Sequence, residues 1–379
     1  MKRIYLDNAS TAFPKAPGVS KAIADYIETG CINLYRTESR LIENGFDILM
    51  SLRSMLAKLY NYNHPECIAF TRNITEALNW IIKGLFKEGD HVIVSSNEHN
   101  AVMRPVNQLG LKVTRIPSDI MGYNDYSELD SMITSETRGI IINAASNVSG
   151  AIQNLEIPGE IARKHNIPFI VDTAQASPYA DIDMEALSIS ALGFTGHKGF
   201  LGPEGTGGMI LKREIAEKIS PLIAGGTGSE SDREEIPTTL PERLSPGTEN
   251  MTGLAGLEKA MKWSIEQRKL SFSHELDMTR KLYEGIESIN GIEAVGAPID
   301  SPRTALLSVV SNKMDIAEIA YKLLERGNIE TRVGLHCAPS AHRSIGTFPT
   351  GTIRFSPGPF TTEEDIETTL MLLKEIINE

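Results

Sequence analysis

Two segments in the N-terminal half of the chain have apolar residues at every third or fourth position, the spacing of one face of an α-helix. We therefore predict an amphipathic helix in each segment. The apolar positions are Phe46, Leu49, Leu52, Leu56 and Leu59 in the first segment, and Ala77, Leu78, Ile81, Ile82 and Leu85 in the second.

Short apolar runs alternate with helical segments over the first two-thirds of the chain. Residues 139–145 are apolar on both faces, as strands are when helices cover both sides of a sheet. This alternation predicts an α/β fold with a doubly wound, mostly parallel sheet. The predicted strands are His91–Ser95, Lys112–Ile116, 139–145, 168–172 and 206–211.

The composition changes after these strands. Residues 224–248 are rich in Gly, Ser, Thr, Pro and charged residues and predict a long functional loop, which a helix-rich stretch follows at 254–289. The remainder predicts a smaller α+β unit, with a strand at 305–310, a helix at 316–326 and a closing helix at Glu363–Ile377.

The overall composition is that of a globular protein, with 41% hydrophobic and 23% charged residues. A net charge of −12 argues against partners such as nucleic acid or an anionic membrane. The N-terminus lacks the apolar stretch of a signal peptide, and no apolar run is long enough to span a membrane. Three scattered cysteines, Cys31, Cys67 and Cys337, suit neither a disulfide framework nor a zinc site. We therefore expect a cytoplasmic protein without a bound metal.

The run at 168–172 ends in an acid, Asp172, and an amide, Gln175, follows three residues later. Ligands of open α/β sheets bind beyond the carboxyl ends of the strands, where both side chains are expected. The alternative is an aspartate that only caps the next helix.

Lys198 lies in a glycine-rich segment, directly between His197 and Gly199. A catalytic lysine needs a pocket that lowers its pKa, and glycines would let a bulky cofactor approach the backbone. The alternative is an exposed lysine in a turn. Lys198 follows Asp172 by 26 positions, enough for a crossover and one more strand, so both would reach one edge of the sheet. A lysine that bonds an aldehyde and an acid that keeps a ring nitrogen protonated are the protein half of pyridoxal 5'-phosphate (PLP) chemistry.

A phosphate site is predicted where the second amphipathic helix begins. Thr75 lies in its first turn, where free N–H groups and the helix dipole favour an anion, although any helix can begin with a threonine. His99 follows the strand His91–Ser95 and is placed to stack on a planar ring, with a purely structural histidine as the alternative.

With these motifs in this order, the chain resembles the class V aminotransferase group of fold-type-I PLP-dependent transferases, and within it the cysteine desulfurases. The resemblance extends from Leu6 to Arg354. It implies a large domain over 15–260 with a mostly parallel seven-stranded sheet, and a smaller α+β domain formed by 1–14 and 261–379. It also implies a homodimer with active sites at the interface.

The resemblance implies roles for individual residues. Lys198 bonds the cofactor aldehyde, Asp172 pairs with the pyridine nitrogen, and His99 stacks on the ring and takes part in catalysis. Asn147 and Arg354 bind the substrate, the latter through the substrate carboxylate. The residues expected to bind the cofactor are Ile74, Thr75, His99, Asn147, Asp172, Gln175, Thr195, His197 and Lys198, together with Thr248, which reaches the phosphate of the other subunit.

Cys337 distinguishes members of the group. A glycine, a histidine and a proline surround it in a predicted loop, which is unusual for a core position, whereas Cys31 and Cys67 are expected to be buried or peripheral. By resemblance, the Cys337 thiolate attacks the substrate sulfur. The short stretch from Cys337 to Arg354 is similar to that of the members with a compact cysteine loop, which often work with a separate sulfur-accepting protein.

We therefore predict a PLP-dependent cysteine desulfurase that converts L-cysteine into L-alanine and passes sulfur from a persulfide on Cys337 to an acceptor. One alternative is a selenocysteine lyase acting on L-selenocysteine, or another class V enzyme for a small amino acid, in which Cys337 is dispensable or only discriminates selenium. The other is a non-catalytic sulfur-relay or scaffold protein. The intact set of Lys198, Asp172 and His99 argues against it.

Overall fold

The computed structural model describes residues 2–29, 42–230 and 232–379 of the chain. Cys31 lies outside these ranges. In the described part, the strands are β1 (Ile4–Tyr5), β2 (Ile68–Thr71), β3 (His91–Ser95), β4 (Lys112–Ile116), β5 (Thr137–Asn143), β6 (Phe169–Asp172), β7 (Ala191–Thr195), β8 (Gly207–Leu211), β9 (Ile292–Val295), β10 (Leu307–Ser311), β11 (Ile329–Glu330), β12 (Arg332–Gly334) and β13 (Thr352–Phe355).

Helices occupy much of the remaining described sequence, and short 3₁₀ turns lie at Pro65–Cys67 and Glu242–Leu244. The α-helices of these ranges are α1 (Val19–Glu28), α2 (Ile42–Leu59), α3 (Ile74–Leu85), α4 (Asn100–Gln108), α5 (Leu129–Met132), α6 (Glu156–His165), α7 (Arg213–Ala216), α8 (Met251–Glu266), α9 (Arg268–Glu287), α10 (Ile316–Gly327), α11 (Pro339–Ser344) and α12 (Glu363–Ile377). Both predicted amphipathic helices are present as α2 and α3, and the closing helix has the predicted bounds.

The largest sheet has seven strands in the order β2-β8-β7-β6-β5-β3-β4. Neighbouring strands are parallel except where β8 is involved, because β8 runs antiparallel to both β2 and β7. The prediction of a mostly parallel seven-stranded sheet is confirmed. The direction of β8 was not predicted, and its physical reason is local: no crossover helix separates β7 from β8, and a parallel pair requires a crossover.

Helices cover the sheet, and the apolar side chains between them form the main core. Every residue of β3, β6 and β7 is buried, which explains why these strands are near-continuous apolar runs. The buried stripe of α2, formed by Leu49, Leu52 and Leu56, packs into this core.

A second core belongs to the four-stranded antiparallel sheet β12-β13-β10-β9. Apolar residues of α9, α10 and α12 belong to it, and so do Ile4 and Leu6 of the N-terminal segment, where β1 pairs in parallel with β11. The predicted domain boundary after residue 260 lies within α8, and the division into 15–260 and 1–14 with 261–379 stays a prediction.

The fold brings polar strand ends together at one edge of the large sheet. Asn143 and Asp172 are cross-strand neighbours at the carboxyl ends of β5 and β6, and Asp172 also pairs with Gly193 in the middle of β7. This is the edge at which open α/β sheets bind ligands. Within the described ranges, no helix combines the length and apolarity that a bilayer crossing requires.

Candidate active site

A cavity of about 240 Å³ lies at this edge of the sheet. Asn73, Asn143, Ala145 and Ala174 line it together with a set of the predicted site residues. That set comprises Ile74, Thr75, His99, Asn147, Asp172, Gln175, His197 and Lys198. The structure therefore brings together residues that span more than 120 positions of the sequence.

Lys198 lies in the connection that leaves β7. Burial lowers the pKa of the Lys198 ammonium to about 8, although the negative charge of Asp172 acts in the opposite direction. A lysine with this pKa is neutral far more often near physiological pH than an exposed one, and the neutral amine is the nucleophile that bonds an aldehyde.

The glycines around Lys198 have a different role from the predicted one. A Cβ atom on Gly196 would lie 2.2 Å from Thr206 Oγ1, and one on Gly199 would lie 2.2 Å from the Ser177 carbonyl oxygen. The expectation that these two glycines make room for a cofactor is therefore wrong. Gly196 makes room for the Thr206 side chain and Gly199 for the Ser177 backbone, so both glycines let the segment that carries Lys198 pack closely against the rest of the protein.

Asp172 ends β6 and is 4% exposed. Its Oδ1 accepts a hydrogen bond from the backbone N–H of Ala174, at 2.8 Å. Burial raises the pKa of the Asp172 carboxyl above its usual range, while the Ala174 N–H and the charge of Lys198 oppose this effect. A cation placed against Asp172 would compensate the buried charge and keep the carboxylate ionised.

His99 caps α4 through its ring. Its Nδ1 accepts a hydrogen bond from the Ala101 backbone N–H at 3.0 Å, so the neutral ring carries its proton on Nε2. Burial, together with the positive charges of Lys198 and Arg354, lowers the pKa of His99 to about 4. The ring is therefore a neutral, oriented aromatic surface on the wall of the cavity.

The first turn of α3 forms the end of the cavity at which the sequence predicts a phosphate site. The Asn73 side chain caps this helix by accepting from the Glu76 N–H. Among the described hydrogen bonds none is donated by the N–H groups of Ile74 or Thr75, which lie where a helix favours an anion.

Several buried polar atoms at this edge have no partner within the described part of the chain. They are Asn143 Oδ1, Asn147 Oδ1, Thr195 Oγ1 and His197 Nδ1. Buried polar groups without partners are rare in native proteins and call for a ligand or a water molecule. A planar ring with a hydroxyl and a phosphate, as in PLP, fits this set of donors and acceptors. The residues present therefore fit the cofactor that the sequence predicts.

Of two further residues predicted to bind the cofactor, Gln175 lines the cavity and Thr248 does not. The Gln175 amide nitrogen donates to the Ala9 carbonyl at 2.9 Å, which ties the N-terminal segment to the cavity wall. Thr248 is exposed and is not part of the cavity lining. Its predicted contact with the phosphate of a second subunit stays a prediction.

Cys337 is exposed and lies in a tight loop between β12 and α11. His336 and Cys337 both have left-handed backbone conformations, with φ of 46° and 58°, which are strained for residues other than glycine. Two bonds connect the loop to the cavity wall: the Asn147 amide donates to the His336 carbonyl at 2.7 Å, and the Asn100 N–H donates to the Cys337 carbonyl at 2.8 Å. The backbone of the Cys337 loop is thus bonded to Asn147, which lines the cavity, and to Asn100, which follows His99 of the cavity wall. Cys67, in contrast, is fully buried, as predicted.

A chain of hydrogen bonds supports this loop from below. His336 Nε2 lies 2.9 Å from Thr352 Oγ1, which donates to Ser308 Oγ at 3.1 Å, and Ser308 donates to the Val148 carbonyl at 2.7 Å. Because the Thr352 proton is used toward Ser308, Thr352 accepts from the His336 Nε2–H. Burial lowers the pKa of His336 far below its usual value, so the ring stays neutral. We call these three side chains the support relay.

Arg354 is 2% exposed and adjoins the cavity through its bond to the Asn147 carbonyl, at 3.1 Å. It forms an ion pair with Asp7, at 2.9 Å between Nη2 and Oδ1. Asp7 was not predicted as a site residue. Its position in the sequence gave no signal, because it lies 347 residues away from its partner.

Asn73, Asn143 and Glu98 were also not predicted. Asn143 ends β5 as Asp172 ends β6, so the same signal of a polar residue closing an apolar run was available. Asn73 precedes an acid by three residues, which is a helix-start signal. Glu98 lies behind the cavity wall, where its Oε1 accepts from Ser95 and from the Asn143 N–H, and burial raises the pKa of its carboxyl to about 8.

The chain is similar to known proteins over nearly its whole length. The model of the family described as Aminotransferase class-V matches residues 4–369. A probable cysteine desulfurase of Methanothermobacter thermautotrophicus is 31% identical over 383 residues, which cover 98% of this chain and 94% of that protein. Cysteine desulfurase CsdA of Escherichia coli is 28% identical over 374 residues, covering 96% of this chain and 91% of that protein. The apo structure of a cysteine desulfurase from Thermococcus onnurineus NA1 matches with a TM-score of 0.89 at 26% identity, covering 99% of this chain and 95% of that one.

Proposed function

The chain belongs to the aminotransferase class-V family, and on this premise we propose that it is a PLP-dependent cysteine desulfurase, which removes sulfur from L-cysteine and leaves L-alanine. The observation that carries the proposal is the placement of Cys337. Its loop is bonded through Asn147 and Asn100 to the wall of the cavity that contains Lys198.

Each end of the cavity would hold one part of the cofactor. Thr75, Thr195 and His197 would hold the phosphate, His99 would lie against the ring, and Asp172 would pair with the ring nitrogen. When bound, PLP supplies an aldehyde for an amine and a ring that withdraws electrons from the substrate α-carbon. Asp172 is suited to pair with a protonated ring nitrogen because a cation beside a buried carboxylate stabilises the carboxylate.

Lys198 would hold the cofactor before the reaction and would then move a proton at the substrate α-carbon. Its pKa of about 8 allows the side chain to accept and to release a proton near neutral pH. Arg354 and Asn147 would orient the substrate by its carboxylate, so that the sulfur points toward the Cys337 loop.

Cys337 would remove the sulfur atom from the substrate. Its thiolate attacks the substrate sulfur, an S–S bond forms, and the C–S bond breaks with its electron pair remaining on carbon, which a proton then converts into the methyl group of alanine. The product on the protein is a persulfide. The exposed position of Cys337 supports transfer of this sulfur to a separate acceptor protein.

We further propose a cytoplasmic homodimer. Free cysteines at 67 and 337 are consistent with a reducing compartment, and Thr248 is exposed, as a residue that serves the partner's phosphate would be in a single subunit.

A selenocysteine lyase is the second candidate, because the same cavity and thiol would accept L-selenocysteine. The two substrates differ in how readily the chalcogen leaves, so dependence on Cys337 discriminates between the two activities.

The test is a measurement of alanine together with sulfide or selenide, from L-cysteine and from L-selenocysteine. Native protein should release alanine from L-cysteine, Cys337→Ser should not, and Cys67→Ser should behave as native because that residue is buried away from the site. Loss on L-cysteine with retention on L-selenocysteine would favour the lyase, and retention on L-cysteine would refute the desulfurase. A native protein that binds no cofactor and releases no alanine would support the non-catalytic relay instead.

A further inference from the structure

We propose that Asp7 occupies the substrate-carboxylate position on Arg354 and must give way when a substrate binds, so that Asp7 sets which anions the site accepts. The inference rests on the proposed function, since it assumes that Arg354 receives the carboxylate of an amino acid.

Arg354 uses its three nitrogens unequally. Nη2 donates to Asp7 Oδ1 at 2.9 Å and to Ser10 Oγ at 2.8 Å, and Nη1 donates to the Asn147 carbonyl at 3.1 Å. Nε is buried and has no partner among the described residues. Ser10 in turn donates to Asp7 Oδ1 at 2.7 Å, so the two acceptors on Nη2 are bonded to each other.

This arrangement leaves no pair of adjacent Arg354 nitrogens free to bind both oxygens of a carboxylate. A carboxylate that binds an arginine through both oxygens takes one proton from each of two adjacent nitrogens. Nη2 belongs to both possible pairs, Nε with Nη2 and Nη1 with Nη2, and both of its protons are already used. The protons that remain on Nε and Nη1 point to different sides of the group. Two-point capture of a substrate carboxylate therefore requires Nη2 to release Asp7 or Ser10.

A second arginine provides a destination for the displaced carboxylate. Arg332 is the direct cross-strand neighbour of Arg354 in the β12–β13 pair, and its Nη1 lies 3.4 Å from Ser10 Oγ. Two like charges at opposed positions are unfavourable, and Asp7 offsets them. When Asp7 leaves Arg354, Arg332 remains beside the Ser10 hydroxyl, and its positive charge can pair with the displaced Asp7 carboxylate.

Displacement of Asp7 gives the site its selectivity. A carboxylate without an amine contacts the site only through Arg354, and this one contact must compete with the Asp7–Arg354 ion pair. An amino acid is also held by its amine at the Lys198 end of the cavity. This second attachment adds the binding free energy that is needed to displace Asp7 from Arg354. Asp7 thus acts as a specificity-determining residue that keeps small carboxylates out.

The experiment measures how propionate, a carboxylate without an amine, binds to the cofactor-loaded protein. The apparent Kd comes from the rise in melting temperature with propionate concentration, and the KM for L-cysteine is measured beside it. Asp7→Asn should lower the apparent Kd by about tenfold, equivalent to about 1.4 kcal/mol, and should lower the KM without raising kcat. The matched control is Asp25→Asn, at an exposed ion pair with Lys21, which should leave both values unchanged.

A second variant keeps the test decisive if Asp7→Asn does not fold. Ser10→Ala frees one proton of Nη2 while it keeps the ion pair, and it should lower the Kd for propionate in the same direction by a smaller factor. An unchanged or higher Kd in the variant that folds would overturn the proposal and make Asp7 a residue that only orients Arg354. The binding measurement does not depend on turnover, so a failure of the proposed function would be seen separately, as a native protein that forms no alanine from L-cysteine.

Discussion

Thr352→Val tests whether the support relay holds the thiol in place. Thr352 is fully buried and does not line the cavity, so the substitution removes one hydroxyl without touching the cofactor site. It leaves the His336 Nε2–H without its acceptor and removes the donor to Ser308 Oγ, whereas the Ser308 hydroxyl still donates to the Val148 carbonyl. An unsatisfied buried donor such as this N–H costs about 1–3 kcal/mol. The left-handed conformations of His336 and Cys337 cost about 1–3 kcal/mol each, so the lost support is comparable with the strain at one of the two residues.

We expect the loop to relax in this variant and alanine formation from L-cysteine to slow by about tenfold or more, since about 1.4 kcal/mol corresponds to a factor of ten in rate. The assay is single-turnover alanine formation, with the cofactor absorption and the rate of Cys337 alkylation measured on the same sample. The absorption should match that of the native protein, and the alkylation rate should change. Thr369→Val is the matched control, because Thr369 is equally buried and bonds only within α12. A native rate of alanine formation in Thr352→Val would refute the role of the relay.

Three further predictions concern the cofactor. Reduction with borohydride followed by peptide mass analysis should find the cofactor on Lys198 in native protein and on no lysine in Lys198→Ala, and equal attachment elsewhere would contradict the assignment. Burial lowers the pKa of Lys198 to about 8, so the fraction of neutral Lys198 increases as the pH rises through that value. The rate at which cofactor-free protein takes up PLP should therefore rise over the same pH range. A midpoint of this rise near the ordinary lysine pKa of 10.5 would contradict the prediction. Thr248→Ala should weaken PLP retention by roughly tenfold to a hundredfold, as expected for a hydrogen bond of about 1.5–3 kcal/mol to a charged group. Mixing this variant with Lys198→Ala protomers should give heterodimers with one repaired and one doubly damaged site, whereas strictly additive behaviour would place the site within one subunit.

Local patterns in the sequence predict much of the sheet edge. Asp172 could be predicted because an apolar run that ends in an acid marks a strand, and parallel strands bring their carboxyl ends together. Lys198 follows from the same reasoning, since one more strand returns the chain to that edge. Asn143 carries an equivalent signal, but an amide within an apolar run of seven residues is easily taken as part of the strand.

The rest depends on contacts that the local sequence does not encode. The Asp7–Arg354 pair joins residues 347 positions apart. The pairing of β1 with β11 and the bridge from Asp7 to Ser356, directly after β13, bring them together. His336 and Cys337 have left-handed conformations, and their carbonyls accept hydrogen bonds from Asn147 and Asn100, which lie far away in the sequence. The glycines beside Lys198 are a pattern with two physical meanings, and the packing around Gly196 and Gly199 decides between them.

The most direct test of the account follows the sulfur atom. Native protein loaded with PLP is mixed with less than one equivalent of L-cysteine in the absence of reductant, and after digestion the masses of the cysteine-containing peptides are measured. We expect one additional sulfur atom on the Cys337 peptide, in an amount equal to the alanine formed, and none on the peptide of the buried Cys67. Alanine formed without additional sulfur on Cys337 would contradict it.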